Sequence, residues 1–239
     1  MLKIYLALIL LVITGCATSN KSNVANFKAI ADSNLVQITD SSFDRFVISD
    51  PAVFSKYKQV IFFPMQFDRL TIDHSAEQEL VDSWNDSNWQ EMDQICQYFD
   101  DFALKIFSER QGLTPTNQGG ENVLAIEFRL INFMPYGKRY QDSSMDTVGV
   151  SANKKGTGSI TIQVVIADSK TAELLAIIED GMEVNTGNMT IITGDLSLQT
   201  QSNNKSSQNY AWRRVFKQWA SRLHDDLVRL QNLPHEAIN

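Results

Sequence analysis

Few residues in this sequence have the types and the spacing that catalysis or metal binding requires. The three histidines stand far apart, at His74, His224 and His235, and none belongs to an H-E-x-x-H or similar metal-binding pattern. Besides Cys16 the chain has one cysteine, Cys96, so no cluster of thiolate ligands can form. We therefore predict no metal site.

Motifs for nucleotide cofactors and serine nucleophiles are also missing. Gly156-Thr157-Gly158 precedes a predicted strand, whereas the dinucleotide-binding fingerprint follows a strand and opens a helix. Ser197 lies in Gly194-Asp195-Leu196-Ser197-Leu198, which lacks the second glycine of a nucleophile elbow. We predict that the protein uses no cofactor and is not a serine hydrolase.

The sequence does not exclude catalysis by a pair of carboxylates. Glycoside hydrolysis needs two carboxyl groups that face each other across a groove, one of them with a raised pKa. The chain has 28 acidic residues, and Glu127 is the one placed in the middle of a predicted strand. Its simpler interpretation is an ion pair with Arg129 or another neighbour. We therefore predict that the protein is not an enzyme, with a paired-carboxylate hydrolase as the alternative.

The composition is that of an acidic globular protein. The 239 residues are 43% hydrophobic and 21% charged, which is enough apolar material for a packed core. With 21 basic against 28 acidic side chains the net charge is -7, and the pI is ≈ 5.0. Such a chain is poorly suited to neutralise phosphates, so we predict no binding to nucleic acid.

The first sixteen residues predict that the protein is targeted to a membrane. Lys3 precedes an uncharged run from Ile4 to Ile13, about half the ~20 residues of a membrane-spanning helix and therefore typical of a signal peptide. The run ends in Ile13-Thr14-Gly15-Cys16, which resembles the bacterial lipobox. The resemblance implies that the Cys16 thiol receives a diacylglyceryl group, that the chain is cleaved before Cys16, and that the new amine is acylated, typically with palmitate.

Lipidation at Cys16 would hold the protein on a bilayer, because each buried methylene of an acyl chain contributes roughly 0.8 kcal/mol. Ala17 stands where inner-membrane lipoproteins typically carry Asp, so the resemblance favours the outer membrane, with the domain facing the periplasm. The predicted organisation is a signal peptide 1–15, a lipidated flexible tether 16–34 and a single domain 35–239. Cys96 would then be the only free thiol, and no intramolecular disulfide could form.

Hydrophobic periodicity predicts the elements of this domain. A buried strand is expected at Tyr57 to Phe63, and capping-box spacings at Ser75/Gln78 and Ser87/Gln90 predict two helix starts. The longer helix has an apolar face made of Ile95, Phe99, Phe102, Ile106 and Phe107. The last helix has a stripe made of Trp212, Val215, Phe216, Trp219, Leu223, Leu227 and Leu230.

Alternation with a period of two predicts further strands. Val123 to Met134 alternates with a change of parity near Asn132, which indicates a bulge, and 159–178 is typical of a hairpin. The polar stretches 136–158 and 185–208 are predicted as long loops. We expect an α+β fold with a single mixed sheet of about four strands and helices packed mainly on one face.

Four motifs in this order resemble an uncharacterised family of proteobacterial lipoproteins classed only as a domain of unknown function. They are Tyr57-Lys58-Gln59-Val60 leading to Pro64, Gly119-Gly120-Glu121-Asn122-Val123-Leu124, Val165 to Leu175, and the helix positions Trp212, Phe216, Trp219 and Leu223. Ala172 stands where that family usually places Gly in its turn. The resemblance implies an envelope lipoprotein and carries over no catalytic residue.

The function expected from these observations is non-enzymatic. We predict a module anchored to the membrane through Cys16 that binds another envelope component, either a protein complex or the cell-wall glycan. The alternatives are an envelope hydrolase that uses paired carboxylates and a lipid carrier, which would need an apolar cavity between sheet and helices.

Overall fold

The computed structural model describes residues 27–29, 35–85, 89–137, 139, 157–185, 188–193, 196–201 and 205–233. Cys16 and the predicted signal peptide lie outside the described residues, and within 16–34 the structure describes a short strand, β1 (Phe27–Ala29). None of the described helices has the length and apolar character needed to cross a membrane.

The fold is α+β, as predicted, and is built on one mixed sheet. Its other strands in chain order are β2 (Val36–Ile38), β3 (Arg45–Ile48), β4 (Gln59–Phe62), β5 (Thr71–Ile72), β6 (Thr114–Pro115), β7 (Val123–Pro135), β8 (Gly158–Asp168) and β9 (Leu174–Val184). The lateral order is β1-β2-β3-β9-β8-β7-β4-β6, and β5 pairs with β7. The pairs β4–β6, β4–β7 and β5–β7 are parallel, and the others are antiparallel.

The prediction of about four strands is wrong. The described chain contributes eight strands to the continuous order, with β5 beside them. The additional strands β1, β2, β3, β5 and β6 are two to four residues long. Segments this short show no measurable alternation; they become strands because a neighbouring strand satisfies their backbone hydrogen-bonding groups.

A two-stranded antiparallel ribbon stands apart from the main sheet. Its strands are β10 (Asn188–Thr193) and β11 (Leu196–Gln201). The stretch 185–208, predicted as a loop, therefore contains this ribbon and the first residues of the last helix. Most of the other predicted loop, 136–158, lies outside the described residues.

Three α-helices are described: α1 (Gln78–Asn85), α2 (Trp89–Glu109) and α3 (Lys205–Gln231). A 3-10 helix, Pro51–Lys56, begins after Asp50, whose carboxylate accepts a 2.8 Å hydrogen bond from the Ala52 amide. The predicted capping role of Ser75 is wrong: α1 begins three residues later, and the Ser75 amide donates to the Asp73 side chain at 2.9 Å.

Helices α2 and α3 cover one face of the main sheet and form the core with it. The ring of Phe99 on α2 lies 4.0 Å from that of Phe128 on β7, and the ring of Phe107 lies 5.0 Å from that of Phe62, the last residue of β4. The predicted stripe of α3 is confirmed, because all seven of its residues are buried. The alternation of β7 and its bulge, between Leu130 and Asn132, are confirmed as well.

Candidate functional site

The face of the main sheet opposite α2 and α3 is only partly covered. In β8 the residues from Ile160 to Ile166 that point toward the helices are buried, whereas the alternate residues from Ser159 to Ala167 keep part of their surface exposed. The described ring contacts between helices and sheet are made on the buried side. We name the opposite side, carried by β9, β8, β7, β4 and the Arg45 end of β3, the open face; further along β3, Val47 lies on the same side as its partner Ile177 but is buried.

Apolar side chains from four strands lie next to one another on the open face. Strand register arranges six of these side chains in two adjacent rows. One row contains Ile61, Ala125, Ala167 and Leu174, and the next contains Val165 and Ile177. Phe63, directly after β4, is 48% exposed, and Leu174 is 44% exposed. We name these seven residues the apolar patch. A contiguous apolar surface on a protein with a net charge of -7 is typical of an interaction site.

A row of paired charges borders the apolar patch. Strand register places one residue from each of β3, β9, β8 and β7 side by side: Arg45, Glu179, Gln163 and Arg129. The Arg45 guanidinium lies 3.0 Å from the Glu179 carboxylate, and the Gln163 amide donates to the same carboxylate at 3.4 Å. Arg129 donates two hydrogen bonds, of 2.9 and 2.8 Å, to Glu127 on its own strand. The charges of this row are therefore neutralised within the open face.

Glu127 has the environment of an ion-paired residue, as its simpler interpretation predicted. The hydrogen bonds from Arg129, and then the charge of Arg129, hold the pKa of Glu127 below its usual value, although partial burial opposes them. A general acid for glycoside cleavage needs a raised pKa. The geometry therefore gives no support to Glu127 as a general acid.

A raised carboxyl pKa is found instead at Asp100 on α2. Burial raises the pKa of Asp100 to about 6, against the opposing effect of a 3.2 Å hydrogen bond from the Met65 amide. The charge of Asp101, the next residue of the same helix, adds to the increase. Two carboxyls adjacent on one helix do not flank a substrate from two sides, which is the arrangement that a glycosidase uses.

Three of the four motifs that carry the family resemblance meet at the turn between β8 and β9. The Asp168 carboxylate accepts hydrogen bonds from the amides of Lys170 and Thr171, at 2.9 and 3.0 Å, and from the Tyr57 hydroxyl at 2.7 Å. The Ser169 hydroxyl bonds to the amide and the carbonyl of Gly120. These motifs therefore build a structural joint between the strands.

This joint fixes the protonation of its two central groups. The hydrogen bond from Tyr57 and the two turn amides lower the pKa of Asp168 to about 2, so that its carboxylate is ionised near neutral pH. Burial, followed by the hydrogen bond to Asp168, raises the pKa of Tyr57. The phenol is therefore a permanent donor, and the pair has no group that titrates near neutral pH.

Asp180 is a buried carboxylate that sequence analysis did not single out. It lies on the helix-covered side of β9, 3% exposed, and accepts a 2.7 Å hydrogen bond from the indole of Trp219. Arg222 binds it in a bidentate manner at 2.9 and 3.1 Å, and the Asp44 amide adds a bond of 3.0 Å. One carboxylate thus ties α3 to β9 and to the residue that precedes β3. The sequence did contain a signal for its burial: Asp180 lies two residues after the buried Ile178, and alternate residues of a strand point to the same side.

Cys96 and one of the three histidines, His224, lie in the core, whereas His74 is exposed and His235 lies outside the described residues. Cys96 is a free, buried cysteine, and burial raises the pKa of its thiol to about 12. His224 is also buried, with its ring 4.9 Å from that of Phe107. In the described part of the chain, no group of three or more His, Cys, Asp or Glu side chains is arranged to hold a metal ion.

No protein-family model matches the chain, and no curated protein matches it. Similar solved structures include XCC0632 from Xanthomonas campestris, of family model DUF330, with a TM-score of 0.41, 8% identity, and coverage of 73% of this chain and 86% of that chain. CT253 from Chlamydia trachomatis has a TM-score of 0.34 and 10% identity over 72% of this chain and 98% of that chain. A putative neuraminyllactose-binding hemagglutinin homolog from Helicobacter pylori has a TM-score of 0.29 and 10% identity over 77% of this chain and 91% of that chain. TM-scores below 0.5 assign neither a family nor a function.

Proposed function

We propose that the protein is a non-enzymatic lipoprotein of the bacterial outer membrane, anchored through Cys16 and facing the periplasm, that binds another envelope protein with its open face. The observation that carries this proposal is the apolar patch, in which Phe63 is 48% and Leu174 44% exposed. Burial of such side chains against a partner is favourable by about 25 cal/mol per Å² of apolar surface removed from water.

The chemistry of the open face favours a protein over a glycan. A sugar is held mainly by directional hydrogen bonds, and here the Arg129 and Glu127 groups already bond to each other, while Gln163 bonds to Glu179. On one side of this row the surface is made of aliphatic side chains and one phenylalanine, and on the other side it carries Ser159, Thr161 and Glu183. An apolar centre with a polar rim is the usual arrangement of a protein interface.

Two leucines of nearly equal exposure allow a matched test. Leu174, in the apolar patch, is 44% exposed, and Leu104, on α2, is 47% exposed. A photo-crosslinking amino acid placed at either position in the full-length protein, irradiated in intact envelopes, samples the neighbours of the two surfaces. We expect an adduct of defined mass at position 174 and none at 104, with the adduct lost when Cys16→Ala releases the protein from the membrane.

Equal labelling at the two positions, or none at either, would refute the assignment of the open face. Hydrolysis of an envelope substrate that is lost on substitution of a single carboxylate would refute the non-enzymatic role and favour the paired-carboxylate alternative.

A further inference from the structure

We propose that the partner on the open face is a second copy of this chain, so that two sheets pack face to face as a symmetric dimer. This inference rests on the proposed function only in taking the open face as a docking surface. Homodimers with a two-fold axis are the commonest oligomers of soluble domains, and their interface joins the same surface of both subunits.

The area of the open face lies near the lower end of the range for stable dimers. Its three long strands, β7, β8 and β9, lie about 4.8 Å apart, and the four residues of β4 extend it on one side. Along β8 it extends from Ser159 to Ala167, eight steps of about 3.4 Å, or roughly 27 Å. The flat area is therefore about 450 Å², and side chains raise the accessible area toward the roughly 600 Å² per partner at the lower end of standard interfaces.

The charge pattern of the open face is complementary to itself. We place a two-fold axis between the two copies, parallel to β8. This axis brings β7 of one copy opposite β9 of the other. Across this axis Arg129 lies opposite Glu179 of the second copy, because the two residues flank Gln163 in the same row. Opposite charges thus meet at two symmetric positions, and Gln163 meets its own copy at the centre.

The apolar patch is complementary under the same axis. Ala125, on β7, lies opposite Leu174 on β9 of the second copy, because the two residues flank Ala167 in the same row. Two identical sheets also have the same twist, which allows aligned packing at about -30° with interdigitated side chains. The exposed aliphatic groups of each copy are then covered by those of the other.

The pairing of charges within the row on the open face explains how copies of an acidic protein could approach each other. The whole chain has a net charge of -7, which opposes association through most of its surface. On the open face Arg45 is paired with Glu179 and Arg129 with Glu127. A second copy buries these groups as pairs, whereas a partner without matching charges would leave them desolvated at a cost.

Cysteine crosslinking tests the symmetry directly. Gln163→Cys in the full-length protein places a thiol on the predicted axis, and Lys105→Cys, on the exposed side of α2, is the control. Native thiols do not interfere, because Cys96 is buried and Cys16 is expected to be lipidated. With copper-phenanthroline as oxidant in intact envelopes, we expect a disulfide-linked dimer from Gln163→Cys and at least ten-fold less from Lys105→Cys.

A second pair of variants keeps the inference falsifiable if oxidation is inefficient. Leu174→Lys in the Gln163→Cys background should lower the dimer yield at least ten-fold, whereas Leu104→Lys, at a site of similar exposure, should not. Absence of the dimer, or equal yields from both leucine variants, overturns the inference. If the photo-adduct at position 174 then proves to be a different protein, the proposed function stands without the dimer; if there is no adduct, both fail.

Discussion

The hydroxyl of Tyr57 donates a 2.7 Å hydrogen bond to the carboxylate of Asp168, which lies 111 residues further along the chain. Tyr57 ends the 3-10 helix before β4, and Asp168 opens the turn between β8 and β9. The backbone carbonyl of Tyr57 in turn accepts a 2.6 Å bond from the Gln231 side chain at the end of α3. One residue therefore links the sheet, the turn and the last helix.

Tyr57→Phe should lower the free energy of unfolding by about 1 to 3 kcal/mol at pH 7, because it leaves the buried Asp168 carboxylate without its hydroxyl donor. The folded pKa of Asp168, about 2, lies below its ordinary 3.8. Its contribution to stability is therefore present above pH ~4 and is lost as the pH falls toward about 2. Urea unfolding at pH 7 and pH 3 should show a smaller difference between wild type and variant at the lower pH.

The control for this experiment is Tyr210→Phe, since Tyr210 is 66% exposed. It should change the unfolding free energy by less than about 0.5 kcal/mol at both pH values. A Tyr57→Phe protein as stable as wild type would show that the hydrogen bond contributes nothing.

Ala172→Gly should stabilise the protein by about 0.5 to 1 kcal/mol. Ala172 has a φ of 60°, a left-handed conformation that costs a residue with a Cβ about 1 to 2 kcal/mol, partly offset by the greater freedom of an unfolded glycine. Asn122 has a φ of 59°, but asparagine tolerates this region, so Asn122→Gly should have little effect. Thermal unfolding of both variants checks the contrast, which a destabilised Ala172→Gly would contradict.

Gly158→Ala should destabilise the protein by about 2 to 3 kcal/mol through overpacking. A Cβ at position 158 would lie 2.5 Å from the Met134 carbonyl oxygen and 2.5 Å from the Phe133 ring. Gly119→Ala is the matched control, because its Cβ would lie 3.4 Å from the Ser169 hydroxyl, an ordinary contact. Denaturant unfolding should separate the two; equal effects would mean that the strand ends of β7 and β8 shift at low cost.

Asp100→Asn should stabilise the protein at pH 7 to 8 but have little effect near pH 4. The folded pKa of Asp100, about 6, lies above its ordinary 3.8, so the carboxylate is destabilising once the pH rises through 6 and is neutral in both states below 3.8. Asparagine keeps the acceptor for the Met65 amide. The expected gain is about 1 to 2 kcal/mol after allowance for partial exposure.

Unfolding by urea between pH 4 and pH 8 measures this difference, with Asp101→Asn on the exposed side of α2 as the comparison. A gain for Asp100→Asn that is equal at both ends of the pH range would show that it arises from packing and not from the charge.

Local periodicity was sufficient to predict the long elements. The alternation of β7, its bulge near Asn132, the hairpin of β8 and β9, and the stripe of α3 from Trp212 to Leu230 each follow from residues within a few positions of one another. A side chain in such an element is inward or outward because of its own period, so the pattern is visible before folding.

Tertiary structure decided the remainder, because it depends on residues that are distant in the chain. Short strands such as β3 exist through their pairing with β9, and Asp180 is buried because Trp219 and Arg222 reach it from α3. The open face likewise arises only when Ile61, Ala125, Ala167 and Leu174 come into register. The sequence shows that these side chains are apolar. The order of the strands decides which of them the helices leave uncovered.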